Sequence, residues 1–394
     1  MWRTRPGVAA LTGGALAVLA LTVLPQGSLA KDTVKIAWIG PLTGALSAHG
    51  IGGRNSAELA VKLKNADPAA RYNYELVALD DECKPNVGVQ VATRAGSDRS
   101  IIAAVPHYCS ATAIATVEVY NRFKLPMVVW AAVLPEITYG KKLPEIHRVS
   151  GTLIGQNKVG AKFMADLGYK RFVSLCDTTD YGKSMDKYFT QFTLENGGEV
   201  IGKFGVPPDQ QDLSAELTQI KDLNPEAIFF GGLTPLGTRL RTQMVKFGMD
   251  QLMEGQSGII GDAFINAVGR ELAEGVLSFF DSSRVEKSEA GKDFIKKYAD
   301  AGYKEPYEAY GPFSFAATNL VMDKIEQAGP DRAKVTEALA QVKDYPSAVG
   351  PITFDDYGQN ITPLTTKFVV QDGKWVPWED SEYATGKRKL NRQK

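Results

Sequence analysis

Three histidines, His49, His107 and His147, are all that this sequence offers for imidazole chemistry, and no two of them share a metal-binding spacing such as HExxH or His-x-His. A serine nucleophile is no better supported. GxSxG is absent, and GQSGI around Ser257 lacks the last glycine of a nucleophile elbow. No GxxxxGK[ST] loop is present to cradle a phosphate. Asp80, Asp81 and Glu82 could hold a cation, but beside the run YELVAL they read better as a solvated strand end. No catalytic residue, metal or cofactor is expected.

The stretch VPHYCSATAIAT, residues 105–116, carries the chemistry worth pursuing. It follows the apolar run IIAAV and opens a helix-like segment, so Ser110 falls at a strand-to-helix handover with unpaired amides nearby. Its hydroxyl could hold one oxygen of a carboxylate, or it could cap its own helix, which serine does without any ligand. Spacing leaves both open. Cys109 stands beside it, with Cys83 and Cys176 elsewhere and no CxxC to suggest redox catalysis. Cys83 and Cys109 each follow a strand-like run; if those strands are neighbours, their ends come within bridging reach. Cys176 ends the apolar run FVSLC and reads as a buried free thiol.

Compartment and size follow from the ends of the chain. Residues 1–30 place Arg3 and Arg5 before an apolar core, then Pro25 and the small residues Ser28 and Ala30, the pattern of a cleaved secretory leader. The core is short and rich in Gly and Ala, which fits a leader better than a membrane anchor. No cysteine follows it for lipid attachment, so a periplasmic, soluble mature protein is expected. The full chain has 45 basic and 45 acidic residues, and losing the two leader arginines leaves about −2. Near-neutrality speaks against nucleic acid as a partner. The remaining length exceeds what one hydrophobic core usually serves, so two lobes are expected.

Those lobes must position Ser110. Short apolar runs alternate with helical ones throughout: VKIAWIGPL, YELVALDDE, IIAAVPHY and PMVVWAAV, then a second series RFVSLCDTT, EVIGKFGV, EAIFFGGLT and EGQSGII. This alternation predicts an α/β protein of two doubly wound, mostly parallel-sheet lobes. Later helices return to complete both lobes, and GPITFDD and TTKFVVQDGKWVPW add short strands. The basic tail from Gly386 is expected to be disordered. In open α/β sheets ligands sit beyond the carboxyl ends of the strands. The aromatics Trp130, Tyr181 and Tyr310, in or next to strand-following turns and lobe-crossing segments, could wall an apolar cleft there.

Taken in order, VKIAWIGPLTGALSAHG, ALDDECKP, CSATA, AAVLPE, DTTDYGKS, FFGGLTP and GPITFDDYGQ resemble the leucine/isoleucine/valine-binding family of periplasmic solute-binding proteins, across the whole mature chain. The resemblance implies three crossovers, placed near Val149–Ser150, Phe280–Asp281 and Val349–Gly350. One lobe then comprises 31–149 and 281–349, the other 150–280 and 350–385. It implies a Cys83–Cys109 disulfide and a ligand carboxylate held by Ser110 and the turn Ala131-Ala132-Val133. Tyr181 and Tyr310 match aromatic cleft positions, and His49 stands where a tyrosine often covers the ligand. The ammonium end departs from the pattern. Val133 replaces a threonine and Ser257 replaces the acidic residue, with Glu254 the nearest substitute. A buried ammonium without an anion is costly. The expected ligand is therefore a carboxylate lacking an α-amino group, with an aromatic one preferred and a branched-chain or other hydrophobic amino acid next. A monomer delivering it to the permease of an ABC importer is implied. Ligand sensing with a membrane receptor, or esterase or amidase activity, are the alternatives.

Overall fold

Strands that are covered on both faces need apolar side chains at every position, and IIAAV and AIFFG obey this rule: both are buried throughout. The computed structural model describes residues 1–10, 31–281 and 284–392. Of the leader expected over residues 1–30, residues 11–30 lie outside the described residues.

The first sheet contains β1 (Thr33–Gly40), β2 (Asn73–Asp80), β3 (Ile101–Val105), β4 (Met127–Val129) and β5 (Ile146–Arg148), all parallel, in the order β2-β1-β3-β4-β5. The second contains β6 (Arg171–Asp177), β7 (Glu199–Val206), β8 (Ala227–Gly231), β9 (Leu252–Gln256) and β10 (Leu277–Asp281), with the order β7-β6-β8-β9-β10. Both sheets thus share one winding order. β11 (Thr365–Gln371), antiparallel to β10, and β12 (Lys374–Pro377), antiparallel to β11, extend the second sheet. The architecture is α/β with two doubly wound, mostly parallel sheets.

Several details differ from the sequence reading. EGQSGII is only half strand, since β9 ends at Gln256 and Ser257 begins the following turn. GPITFDD forms isolated bridges rather than a strand, Tyr345 with Ile352 and Phe354 with Asn360. The return toward the second sheet comes after Asn360 rather than at Val349–Gly350. Gly358 accepts from the Arg148 amide at 2.9 Å and Asn360 donates to the Arg148 carbonyl at 3.1 Å, which keeps this segment on the β5 edge. The tail is docked, not frayed, as far as Arg392. Arg388 pairs with Glu274, Asp372 and Glu382 at 2.7–2.9 Å, and Leu390 is buried.

Cys83 and Cys109 are joined, with Cα atoms 5.5 Å apart. Their strands are not neighbours, because β1 lies between β2 and β3. The bridge closes because Asp81 donates its amide to Gly40 at the end of β1, and Glu82 and Cys83 then turn back with φ of +50° and +58°. Closing that loop contributes roughly 3.5 kcal/mol on the chain-entropy model. Asp81 is not solvated either. It is fully buried, accepting from His107 Nδ1 at 2.7 Å and from the Cys83 amide at 2.9 Å. The acidic cluster therefore braces the disulfide turn. Against the raising effect of partial burial, Asp80 accepts the Thr43 hydroxyl and the Leu42 and Glu82 amides at 2.5, 2.8 and 2.9 Å, which together hold its carboxyl below the ordinary value. Cys176 is free and buried, and burial pushes its thiol up.

Candidate functional site

The carboxyl ends of both sheets face a cavity of about 400 Å³, within the range of small-molecule sites. From the first sheet come Tyr108, Cys109, Ser110 and Ala111 after β3, and Ala131 and Val133 after β4. From the second come Asp177 and Tyr181 after β6, and Ser257 and Gly258 after β9; Tyr310 lies beside them.

Ser110 neither caps its own helix nor points away. The helix Ser110–Phe123 has Cys109 at its N-cap with no side-chain cap bond. Ser110 Oγ instead accepts the amides of Val133 and Leu134 at 3.1 and 3.3 Å. Both of its acceptor positions are thereby engaged, and its O–H remains a donor at the cavity wall. The same turn is held from behind by the buried Arg148, whose Nη1 donates to the carbonyls of Ala132 and Leu134 at 3.2 and 2.6 Å. Arg148 also reaches Gln359 through Nε at 2.7 Å and Thr138 through Nη2 at 2.9 Å. Burial draws its guanidinium down to about 10, so it stays charged at neutral pH.

Of the nine residues proposed from sequence, Ser110, Ala131, Val133, Tyr181, Ser257 and Tyr310 line this cavity, whereas Ala132, His49 and Trp130 do not. Trp130 is fully buried beneath it. Its ring packs at 5.6 Å from Tyr108 and 6.5 Å from Tyr310, and its indole N–H donates to the Ile39 carbonyl at 3.2 Å. Gly53 makes room for it, since a Cβ there would lie 2.7 Å from the indole. Trp130 thus supports the aromatic wall without forming it. His49 stacks on Tyr108 at 5.0 Å and links the two sheets through a 3.2 Å contact from Nε2 to Thr234 Oγ1. Thr234 donates to the Gly258 carbonyl at 3.1 Å, so the bond from His49 requires a proton on Nε2. Burial lowers His49 to about 4 and leaves it neutral. Its Nδ1 faces Glu308 Oε2 at 3.7 Å; burial, helped by Asp262, raises that carboxyl to about 7.

At the second-sheet end, Ser257 lies within hydrogen-bonding reach of the Tyr181 and Tyr310 hydroxyls. Its amide donates to Gln156 Oε1 at 3.4 Å, and Gln156 Nε2 donates to Asp281 at 2.9 Å. Burial raises Asp281 to about 6, opposed by its bonds from Gln156 and Thr365. Glu254 does not reach the cavity. It lies three residues before Ser257 on β9, on the same strand face as Gln256, whose amide would meet a Cβ at Gly160 of the helix Leu153–Asp166. Both Glu254 oxygens are buried without a partner, and desolvation pushes the carboxyl up to about 8. Glu254 therefore supplies no anion at Ser257. Asp177 lines the cavity, but its Oδ1 accepts the amide and hydroxyl of Thr179 at the start of the helix Asp180–Glu195.

Arg148, Gln156 and Asp281 were not singled out from sequence, because polar residues around strand ends and chain crossings carry no motif. Tyr108 was not singled out either, although it lies three residues past β3 inside the quoted stretch.

A family profile described as periplasmic binding protein matches residues 33–374. The chain belongs to that family. The leucine-, isoleucine-, valine-, threonine- and alanine-binding protein of Pseudomonas aeruginosa is 28% identical over 347 residues, covering 87% of this chain and 91% of that one. The leucine-binding protein of Thermotoga maritima superposes with a TM-score of 0.81 at 28% identity, covering 87% of this chain and 97% of its own. A solute-binding protein of an ABC transporter from Rhodopseudomonas palustris BisB5, solved with 3,4-dihydroxybenzoic acid, has a TM-score of 0.78 at 23% identity and covers 88% and 96%. No helix among the described residues is long and apolar enough to cross a membrane.

Proposed function

We propose that this periplasmic binding protein is the substrate-binding component of an ABC importer of the branched-chain amino acid type and captures a small carboxylate lacking an α-amino group, with aromatic acids preferred. The exported chain works as a monomer in the periplasm and delivers its ligand to membrane permease subunits. Ser110 carries the reading. Its hydroxyl is fixed by two amides, faces the cavity and can donate to a carboxylate oxygen. The three phenols Tyr108, Tyr181 and Tyr310 provide ring surface beside it.

The ammonium end decides between ligand classes. Ser257 is neutral, Glu254 is buried elsewhere and Asp177 is engaged by Thr179, so an α-ammonium would be enclosed without a dedicated anion. Leucine-type ligands remain the second reading, favoured by the 28% identical leucine-binding relatives. Capture works by differential affinity: a ligand that touches both sheets favours the closed arrangement, and His49 to Thr234 is one contact that closure brings with it. Hydrolysis is not assigned. Among the described residues no histidine is bonded to Ser110 or Ser257, and His107 is buried against Asp81.

Calorimetric titration with leucine, phenylalanine, benzoate and hydroxycinnamate tests the choice. Benzoate or hydroxycinnamate is expected to bind at least about tenfold more tightly than leucine, the equivalent of roughly 1.4 kcal/mol. Leucine binding as tight as either aromatic acid would overturn the preference.

A further inference from the structure

The cavity has two chemically different ends. Its inner end holds Ser110, Val133, Ser257 and Tyr310, beside the turns after β3, β4 and β9. Its outer end is formed by Pro208, Asp209 and Gln211, after the edge strand β7, together with Arg239 on the helix Thr234–Lys246. The second sheet runs β9-β8-β6-β7 between these ends. Three strand spacings of about 4.8 Å separate them by roughly 14 Å. A single amino acid, even with its side chain extended, is shorter than this, so one bound at Ser110 leaves the outer end unfilled.

Among the described residues, Arg239 is the only cationic side chain lining the cavity. A guanidinium presents five N–H donors in a planar fork. Nη2 donates to the Pro208 carbonyl at 2.6 Å, which ties the side chain to the β7 loop, while Nε is buried without a partner. Acids are present nearby but largely committed. Glu82 is neutralised by Lys84 at 2.7 Å, and Asp177 holds its own helix start. Asp209 acts on Arg239 only at a distance, without a hydrogen bond between them among the described residues. A partly buried cation on a cavity wall with unused donors is arranged for an acceptor that the protein itself does not supply.

We propose that Arg239 recognises the far end of the ligand, and that the ligand is an elongated carboxylate carrying a second anionic acceptor opposite the first. This rests on the preceding reading, in which the inner end takes the first carboxylate at Ser110. The charge-assisted, two-pronged bond available to a second carboxylate is the strongest of the acceptor contacts Arg239 could make.

Matched ligands separate the two ends. Cinnamate and 4-carboxycinnamate differ only in the distal carboxylate; hexanoate and adipate repeat the comparison without a ring. The oxidised wild-type protein is expected to bind each diacid at least about tenfold more tightly than its monoacid. Arg239→Gln should erase that gap while changing monoacid affinity by less than about twofold, and Arg239→Lys should restore part of it, because it keeps charge but not the fork. Ser110→Ala should weaken both members of each pair alike. A wild-type protein with no diacid preference, or a preference that survives in Arg239→Gln, overturns the inference. Binding that depends on Ser110 and not on Arg239 sinks this inference alone. If no acid of either kind binds while leucine does, the preceding reading falls with it.

Discussion

Ser110→Ala is expected to lower affinity for the carboxylate ligand by about a hundredfold while the protein still folds. The carboxylate oxygen loses the Ser110 hydroxyl and stays enclosed without that donor, whereas the amides of Val133 and Leu134, which now bond Ser110 Oγ at 3.1 and 3.3 Å, lose their acceptor in free and bound protein alike, a cost to stability rather than to affinity. An unsatisfied buried polar group costs about 1–3 kcal/mol, and about 2.7 kcal/mol is a hundredfold in affinity. Ser110→Thr keeps the hydroxyl and should recover most of the binding. Calorimetry on the three proteins gives the answer. An alanine variant that binds as tightly as wild type would mean that the hydroxyl serves only the turn.

The second large effect concerns stability against pH. Glu254 ionises near 4.5 when unexposed to the fold and at about 8 inside it, raised by burial alone. Between those values the folded chain keeps a proton that the unfolded chain has released. The stabilisation is therefore complete below pH 4.5, fades as the pH rises, and is gone above about 8. Glu254→Gln has no such proton to lose. Its stability relative to wild type should climb between pH 5 and pH 8.5 by a few kcal/mol, on the order of one kcal/mol or slightly more per pH unit. His49 and His147, both lowered to about 4 by burial, slope the opposite way between 4 and 6.5, but they do so in both proteins and cancel in the comparison. Urea unfolding at the two pH values reads the difference. Parallel pH profiles for variant and wild type would show that Glu254 titrates as an ordinary carboxylate.

The strands that build the site were legible wherever burial on both faces demands an unbroken apolar run, as in β3 and β8. β5 was not. Only three residues long, with His147 and Arg148 among them, it owes its place to pairing with β4 and with the distant Gln359. The rule that ligands lie beyond strand ends pointed to Ser110, Val133 and Ser257 because it locates backbone. It does not say which way a side chain turns, and Trp130 does not line the cavity for that reason; neither does His49, which the family resemblance had put over the ligand. Trp130 drops behind the wall into space left by Gly53, and His49 turns aside to Thr234. Arg239 escaped notice because it sits more than a turn inside a helix, beyond the strand-following turns where site residues were sought. Glu254 had been left open; on β9 it shares a strand face with Gln256, which packs toward Gly160, and it does not line the cavity. The basic tail looked solvated because its composition does not reveal that Glu274, Asp372 and Glu382 would converge on Arg388.

A crystal structure of the protein as purified, with whatever ligand it retains or with a tight binder from the titrations, tests the central claim most directly. The account predicts a carboxylate oxygen within hydrogen-bonding distance of Ser110 Oγ, between the two sheets, with no ammonium beside Ser257. A ligand seated away from Ser110, or an α-ammonium paired with an acid of the cleft, would contradict it.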